Sequence, residues 1–282
     1  VNAGDGFVEI TGEVGTGKTT LCRAFLDQLE ADTEYAFIFN PPGDPVDLLQ
    51  AIHRDFGLPA GSGRLQRLIE ELNTFLIQKR KEDKKVLLLI DEAQNLNQQV
   101  LEQIRLLSNL ETASGKLLQI ILVGQPELHD TLRSTQLRQL RQRITLSCRL
   151  DAFSLQETEA YIRHRLQIAS TAAPPVVTKG AVRRVFRFSG GIPRLINMAC
   201  DRALLKAFTL NRRQVGVKCA AKALLELKSN RVRAPMGPLR WVGVGVVAAA
   251  IFMAGIFLAK EPFSLQVGDV LGEPGDLDHL TG

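Results

Sequence analysis

The chain has 282 residues, 45% of them hydrophobic, with 35 Lys and Arg against 30 Asp and Glu and a formal charge of +5. That is enough apolar material for a sizeable core in one or two domains, and the mild basic excess permits an anionic partner without demanding one. The four cysteines, Cys22, Cys148, Cys200 and Cys219, lie far apart with no C-x-x-C pair. They argue against a disulfide framework or a zinc site and read as reduced core thiols. The first residues lack a basic stretch followed by an apolar core, so no signal peptide is expected.

Val1 to Gly6 precede a first strand, Phe7-Val8-Glu9-Ile10-Thr11. Gly12-Glu13-Val14-Gly15-Thr16-Gly17-Lys18-Thr19-Thr20 follows, then an amphipathic run from Leu21 to Leu26. Strand, glycine-rich turn and helix together spell G-x-x-x-x-G-K-[ST], the phosphate-binding P-loop. Glycine lets successive backbone N–H groups close around an anion, and the helix N-terminus adds its positive end. Glu13, Val14, Gly15, Thr16, Gly17, Lys18, Thr19 and Thr20 are therefore the expected ATP cradle. Lys18 would reach the terminal phosphates and the Thr19 hydroxyl would ligate Mg²⁺.

Tyr35 to Phe39 reads as a second strand, and Val46–Phe56 and Ser62–Lys81 carry helical spacing. The charge run Lys79 to Lys85 is a solvated connection. Val86-Leu87-Leu88-Leu89-Ile90 is apolar throughout, as a strand buried on both faces of a parallel sheet is. Asp91 and Glu92 end it, where such sheets place their ligands. Asp91 would hold the Mg²⁺ shell and Glu92 would polarise the attacking water.

Asn97–Asn109 reads as a helix and Leu117–Val123 as another buried strand. Gln125 at its end would touch the terminal phosphate or the attacking water. Arg138, Arg141 and Arg143 crowd the stretch before a fifth strand, Ile144–Leu150. An arginine there would project toward a neighbouring subunit's nucleotide. From Ser154 the pattern is helical, opened by the capping box Ser154-Leu155-Gln156-Glu157. Helices follow over Thr178–Phe188, from Arg194 to Leu210, and over Val215–Leu227. The Gly190-Gly191-Ile192-Pro193 turn leads into the second of these.

The expected fold is α/β: a P-loop domain with a parallel five-stranded sheet (1–150), a small helical lid (151–228) and a basic linker (229–240). A single transmembrane helix (241–259) and a short acidic tail (260–282) complete it. Trp241 to Ala259 is uncharged and apolar, and Arg231, Arg233 and Arg240 lie before it. At about 1.5 Å per residue it nearly spans a ~30 Å hydrocarbon core, and the basic flank places the P-loop side in the cytoplasm.

Five stretches in order resemble AAA+ ATPases: Gly12 to Thr20, Leu88 to Leu96 (LLIDEAQNL), Val123 to Leu128 (VGQPEL), Leu137 to Ile144 (LRQLRQRI) and Ser189 to Asn197 (SGGIPRLIN). The nearer resemblance is to the ATPase family of general secretion pathway protein A, including the ATPase of mannose-sensitive haemagglutinin (MSHA) pilus biogenesis. It implies ATP hydrolysis with Mg²⁺, a homo-oligomer (a ring, or a hetero-complex with a second envelope protein), and a role at the bacterial inner membrane in building a type IV pilus or type II secretion machine. Gln125 then looks like the first sensor and Arg194 like the second. Arg141 or Arg143 looks like the trans-acting finger, with the choice left open. An upstream adenine-side segment belongs to the family pattern and is missing before Phe7. The tail after residue 259 is too short for the peptidoglycan-binding domain of secretion-type members, which favours the pilus type. A DNA-associated helper ATPase of the transposition type has similar motifs but no need of a membrane span, so nucleic acid is not the expected partner. A nucleotide-gated scaffold with poor turnover fits badly with an intact Glu92.

Overall fold

The computed structural model of the chain describes residues 7–59, 64–112, 115–170 and 175–232. The α/β part runs β1 (Phe7–Gly12), α1 (Lys18–Leu26), β2 (Thr33–Ile38), α2 (Pro45–Asp55), α3 (Leu65–Lys81) and β3 (Lys85–Ile90). It continues through α4 (Gln98–Leu107), the two-residue strands β4 (Glu111–Thr112) and β5 (Gly115–Lys116), β6 (Gln119–Gly124), α5 (Pro126–Leu132), α6 (Arg138–Arg141) and β7 (Leu146–Leu150). The lid contains α7 (Leu155–Ala169), β8 (Val176–Val177), α8 (Lys179–Ser189), α9 (Pro193–Thr209), β9 (Gln214–Val215) and α10 (Val217–Val232).

Five strands form one parallel sheet in the order β2-β3-β6-β1-β7. The expected parallel five-stranded α/β fold is present. Its order carries the functional consequence: β6 lies between β1 and β3. The strand that leads into Gln125 therefore lies between the strand leading into the P-loop and the strand leading into Asp91 and Glu92.

The two faces of β3 follow from its period of two. Val86, Leu88 and Ile90 join the large core with α2, α3 and α4, whereas Leu87 and Leu89 meet Cys22, Val123 and the α1 side. All five are at most 3% exposed. Burying each contributes about 1.5–3 kcal/mol relative to leaving it in water. That burial outweighs any ambiguity in local propensity and fixes where Asp91 emerges.

The fifth strand is shorter than expected, and its side chains are largely exposed, with Leu146 at 53%. It is an edge strand paired only to β1. Cys148 lies on it and is exposed, which corrects the reading of all four thiols as core; Cys22 and Cys219 are buried. Two small strand pairs escaped the sequence reading. β4 pairs antiparallel with β5, and β8 pairs parallel with β9 inside the lid. Two-residue strands are too short to show a periodicity.

The lid is held together by small side chains. Ala181, Ala203, Ala207, Ala220 and Ala223 let α8, α9 and α10 approach closely. The Ser154–Glu157 capping box forms, with Glu157 accepting from the Ser154 N–H at 2.8 Å. The described residues up to Leu227 fall in one compact unit.

The expected transmembrane helix, residues 241–259, lies outside the described residues. Among the described residues no helix is long and apolar enough to cross a membrane.

Candidate functional site

The site assembles at the C-terminal ends of β1, β3 and β6. The P-loop turns through Gly15 (φ +85°) and Gly17 (φ +100°), the left-handed region that a Cβ disfavours. Thr16 braces the turn by donating from its hydroxyl to the Glu13 carbonyl at 2.8 Å. The Lys18 ammonium is 6% exposed and donates to the carbonyls of Gly12 (2.7 Å) and Glu13 (3.1 Å). Among the described residues no carboxylate pairs with it. A buried cation met only by carbonyl dipoles is an arrangement that favours an anionic ligand.

Thr19 and Asp91 are 72 residues apart in sequence, and the Thr19 hydroxyl donates to Asp91 Oδ2 at 2.7 Å. Asp91 is fully buried, and its other oxygen, Oδ1, accepts the Glu92 N–H at 2.9 Å. A hydroxyl and a carboxylate converging beside a phosphate cradle are hard oxygen donors of the kind Mg²⁺ takes. The donor set thus fits a magnesium nucleotide. The Cys22 thiol, beneath the same spot, is pushed up to about 12 by burial and by the Asp91 charge. It stays protonated at neutral pH and offers no thiolate to a metal.

Glu92 sits at φ +53°, in the left-handed region, and is partly buried. Its carboxylate accepts from Gln94 Nε2 at 2.5 Å. Gln94 Oε1 in turn accepts the backbone N–H of Gln125 at 3.0 Å. Neither contact was expected from sequence. Gln94 lies in a short turn after β3 (93–95), and only the placement of β6 beside β3 brings Gln125 to it. Gln125 caps α5, which Glu9 fastens to β1 from below. Glu9 is 2% exposed, meets His129 Nδ1 at 3.0 Å and accepts from the Ser147 hydroxyl at 2.8 Å.

The lid reaches the P-loop through α9. Gly190 ends α8 in the left-handed conformation, and Gly191 (φ +82°) passes against Phe153, whose N–H donates to the Gly191 carbonyl at 2.9 Å. This turn aims the N-terminus of α9 at the phosphate loop. The Arg194 N–H donates to the Gly15 carbonyl at 3.1 Å, and the Arg194 side chain is exposed.

The two finger candidates differ. Arg143 Nη1 donates to the carbonyl and hydroxyl of Ser108, at 3.1 and 3.3 Å, at the C-terminus of α4. Arg141 is exposed on α6. Arg143 is therefore committed within its own chain, where its charge meets the negative end of α4.

A doubly wound parallel sheet, a P-loop and an interposed strand carrying a polar residue define a P-loop AAA+ protein. The AAA domain family matches residues 1–132. General secretion pathway protein A of Aeromonas hydrophila is 50% identical over 206 residues, 73% of this chain and 38% of that protein. The chain belongs to the AAA+ ATPase family of general secretion pathway protein A. It spans about two fifths of the length of that curated relative. The ORC2 protein of Aeropyrum pernix in its ADP form superposes with a TM-score of 0.59 at 17% identity, covering 79% of this chain and 63% of that one. Cdc6p of Pyrobaculum aerophilum gives 0.60 at 16% identity, covering 77% and 59%. At that identity the likeness is one of fold.

Proposed function

We propose that the chain binds and hydrolyses ATP with Mg²⁺, as the motor part of a membrane-anchored factor that assists assembly of a type IV (MSHA-type) pilus or a type II secretion machine. The observation that carries the ATPase reading is the Thr19–Asp91 hydrogen bond beside the carboxylate-free Lys18 ammonium, with Glu92 one residue further on. Lys18 and the P-loop N–H groups hold the phosphate chain. Thr19 and Asp91 hold Mg²⁺, which, when bound, neutralises charge on the phosphates. Glu92 takes a proton from the attacking water. Gln125 and Arg194 flank the terminal phosphate, and Arg141, not Arg143, is the side chain left to reach a neighbour. The test is Glu92→Gln in the full chain. Nucleotide stays bound while hydrolysis falls roughly 10²–10⁴-fold, as expected for a lost general base. Wild-type turnover in that variant overturns the assignment.

The assembly role rests on the relative's name, and the anchor on the uncharged run Trp241 to Ala259 with its basic flank. The expected location is the bacterial inner membrane with the ATPase in the cytoplasm. Resistance of the full chain to alkaline carbonate extraction supports it; release into the wash removes the anchor.

One observation favours a second reading, a DNA-associated helper. Residues 175–222 hold eleven Lys and Arg and one acid, Asp201. Lys179, Arg183, Arg184 and Arg187 are all exposed on α8, and among the described residues none forms an ion pair. Duplex DNA binding that weakens steeply with salt, and that is lost on replacing Arg183, Arg184 and Arg187 with Ser, would favour it over the anchor reading.

A further inference from the structure

Gln94 hydrogen-bonds both to the Glu92 carboxylate and to the backbone of Gln125. Its amide orientation is fixed by chemistry. A carboxylate only accepts and a backbone N–H only donates, so the Nε2 group must face Glu92 and Oε1 must face Gln125. Space around it is tight: a Cβ on Gly124 would stand 2.9 Å from Gln94 Oε1. Glu92 itself has a left-handed backbone, so its direction is set by its surroundings and not by local preference.

We propose that Gln94 is a positioning residue that sets where the Glu92 carboxylate points and ties that direction to the position of the Gln125 turn. The inference rests on the reading of Glu92 as general base. A Gln125 turn displaced by a ligand at the end of β6 moves Gln94 Oε1, and the same rigid amide moves the hydrogen bond on Glu92. Occupancy beside Gln125 is thereby converted into alignment of the base. Among the described residues Gln94 is the side chain that donates to the Glu92 carboxylate, so losing it frees the carboxylate to rotate.

The test is a double-mutant cycle in the full chain, with Gln94→Met as the length-matched residue that makes neither hydrogen bond. Binding of a non-hydrolysable ATP analogue stays within about twofold and KM is unchanged. The kcat falls by about 10²-fold, the scale of a misplaced catalytic group. In a Glu92→Gln background the same substitution costs nothing further, because the group it aims is gone. Gln94→Glu, which replaces the donor with a second acceptor, lowers kcat at least as far while analogue binding and KM are kept, a split that a purely structural role would not give. If Gln94→Met fails to fold, judged by its thermal melt, Gln94→Glu and Gln94→Asn carry the same cycle. Unchanged kcat, or a loss in the Glu92→Gln background equal to that in wild type, overturns the proposal. Wild-type turnover in Glu92→Gln alone overturns the general-base reading instead, so the two failures are distinct.

Discussion

The backbone N–H of Arg194 donates to the carbonyl of Gly15, 3.1 Å away, so the first turn of α9 rests directly on the phosphate loop. Nothing larger than glycine fits at the loop side of this contact. A Cβ on Gly15 would lie 2.8 Å from the Arg194 Cβ, on a backbone already at φ +85°. Lid and P-loop are therefore in direct contact, and a larger side chain at position 15 must displace the start of α9.

Gly15→Ala is expected to weaken nucleotide binding more than Gly17→Ala. Both carry left-handed strain of roughly 1–2 kcal/mol. Gly17 has open space around it, whereas Gly15 must also push α9 away. Calorimetric titration with a non-hydrolysable ATP analogue separates them; equal affinities would mean that the α9 contact is irrelevant to binding.

Thr19→Ala and Asp91→Asn are expected to raise the Mg²⁺ concentration needed for half-maximal turnover, with nucleotide still bound through Lys18. Lys18→Ala, by contrast, removes the one cation in the cradle and abolishes binding itself. Mg²⁺ titrations of steady-state hydrolysis distinguish the two patterns. An unchanged Mg²⁺ dependence in both Thr19→Ala and Asp91→Asn would remove them from the metal site.

The two arginines before β7 are expected to fail differently. Arg143→Ala leaves the Ser108 carbonyl without its charged donor, a loss of about 1.5–3 kcal/mol of stability. Its thermal midpoint then falls by several degrees, at about 2–4 °C per kcal/mol for a unit of this size. Arg141→Ala leaves the midpoint alone and cuts turnover by ~10³-fold or more if it completes a neighbour's site. Mixing it with Lys18→Ala subunits should then restore some activity. No restoration at any ratio would exclude a trans-acting Arg141.

Glu34 is an assignable contributor to acid stability. Glu34 accepts from Lys84 (2.9 Å) and Lys79 (3.1 Å), and these bonds hold its carboxyl below the ordinary 4.5. A depressed folded value means that the contribution is complete above about pH 4.5 and is lost as pH falls through the folded value. Because the group is 38% exposed, its worth stays within the ~0–1 kcal/mol of surface pairs and shrinks with salt. Glu34→Gln should make stability less steep with pH below 4.5 and unchanged in slope near 7. A slope identical to wild type below 4.5 contradicts the assignment.

Gly191→Ala tests the lid turn. Its Cβ would fall 2.0 Å from the Phe153 carbonyl oxygen, so α7 and the α8–α9 turn cannot both keep their places. Loss of amide protection confined to α7, α8 and α9 in hydrogen exchange is expected, with the sheet intact. Wild-type protection throughout would show that the turn relaxes freely.

What the sequence determined by itself is local in origin. The P-loop spelling needs only glycine at left-handed turns and a helix after a strand. The β3 run needs only enough apolar residues to be buried on both faces, and the Ser154 capping box needs three residues of spacing. Those patterns placed Lys18, Thr19, Asp91 and Glu92 correctly on their elements. The tertiary structure decided what depends on strand order and on contacts distant in sequence. β6 inserts between β1 and β3, and only that makes Gln94 a bridge to Gln125. Arg143 turns to Ser108, 35 residues away, while Arg141 two positions earlier faces solvent. Both arginines have the same charge and nearly the same place in sequence. What separates them is the α4 C-terminus packed beside one of them, a fact of packing that no local periodicity encodes.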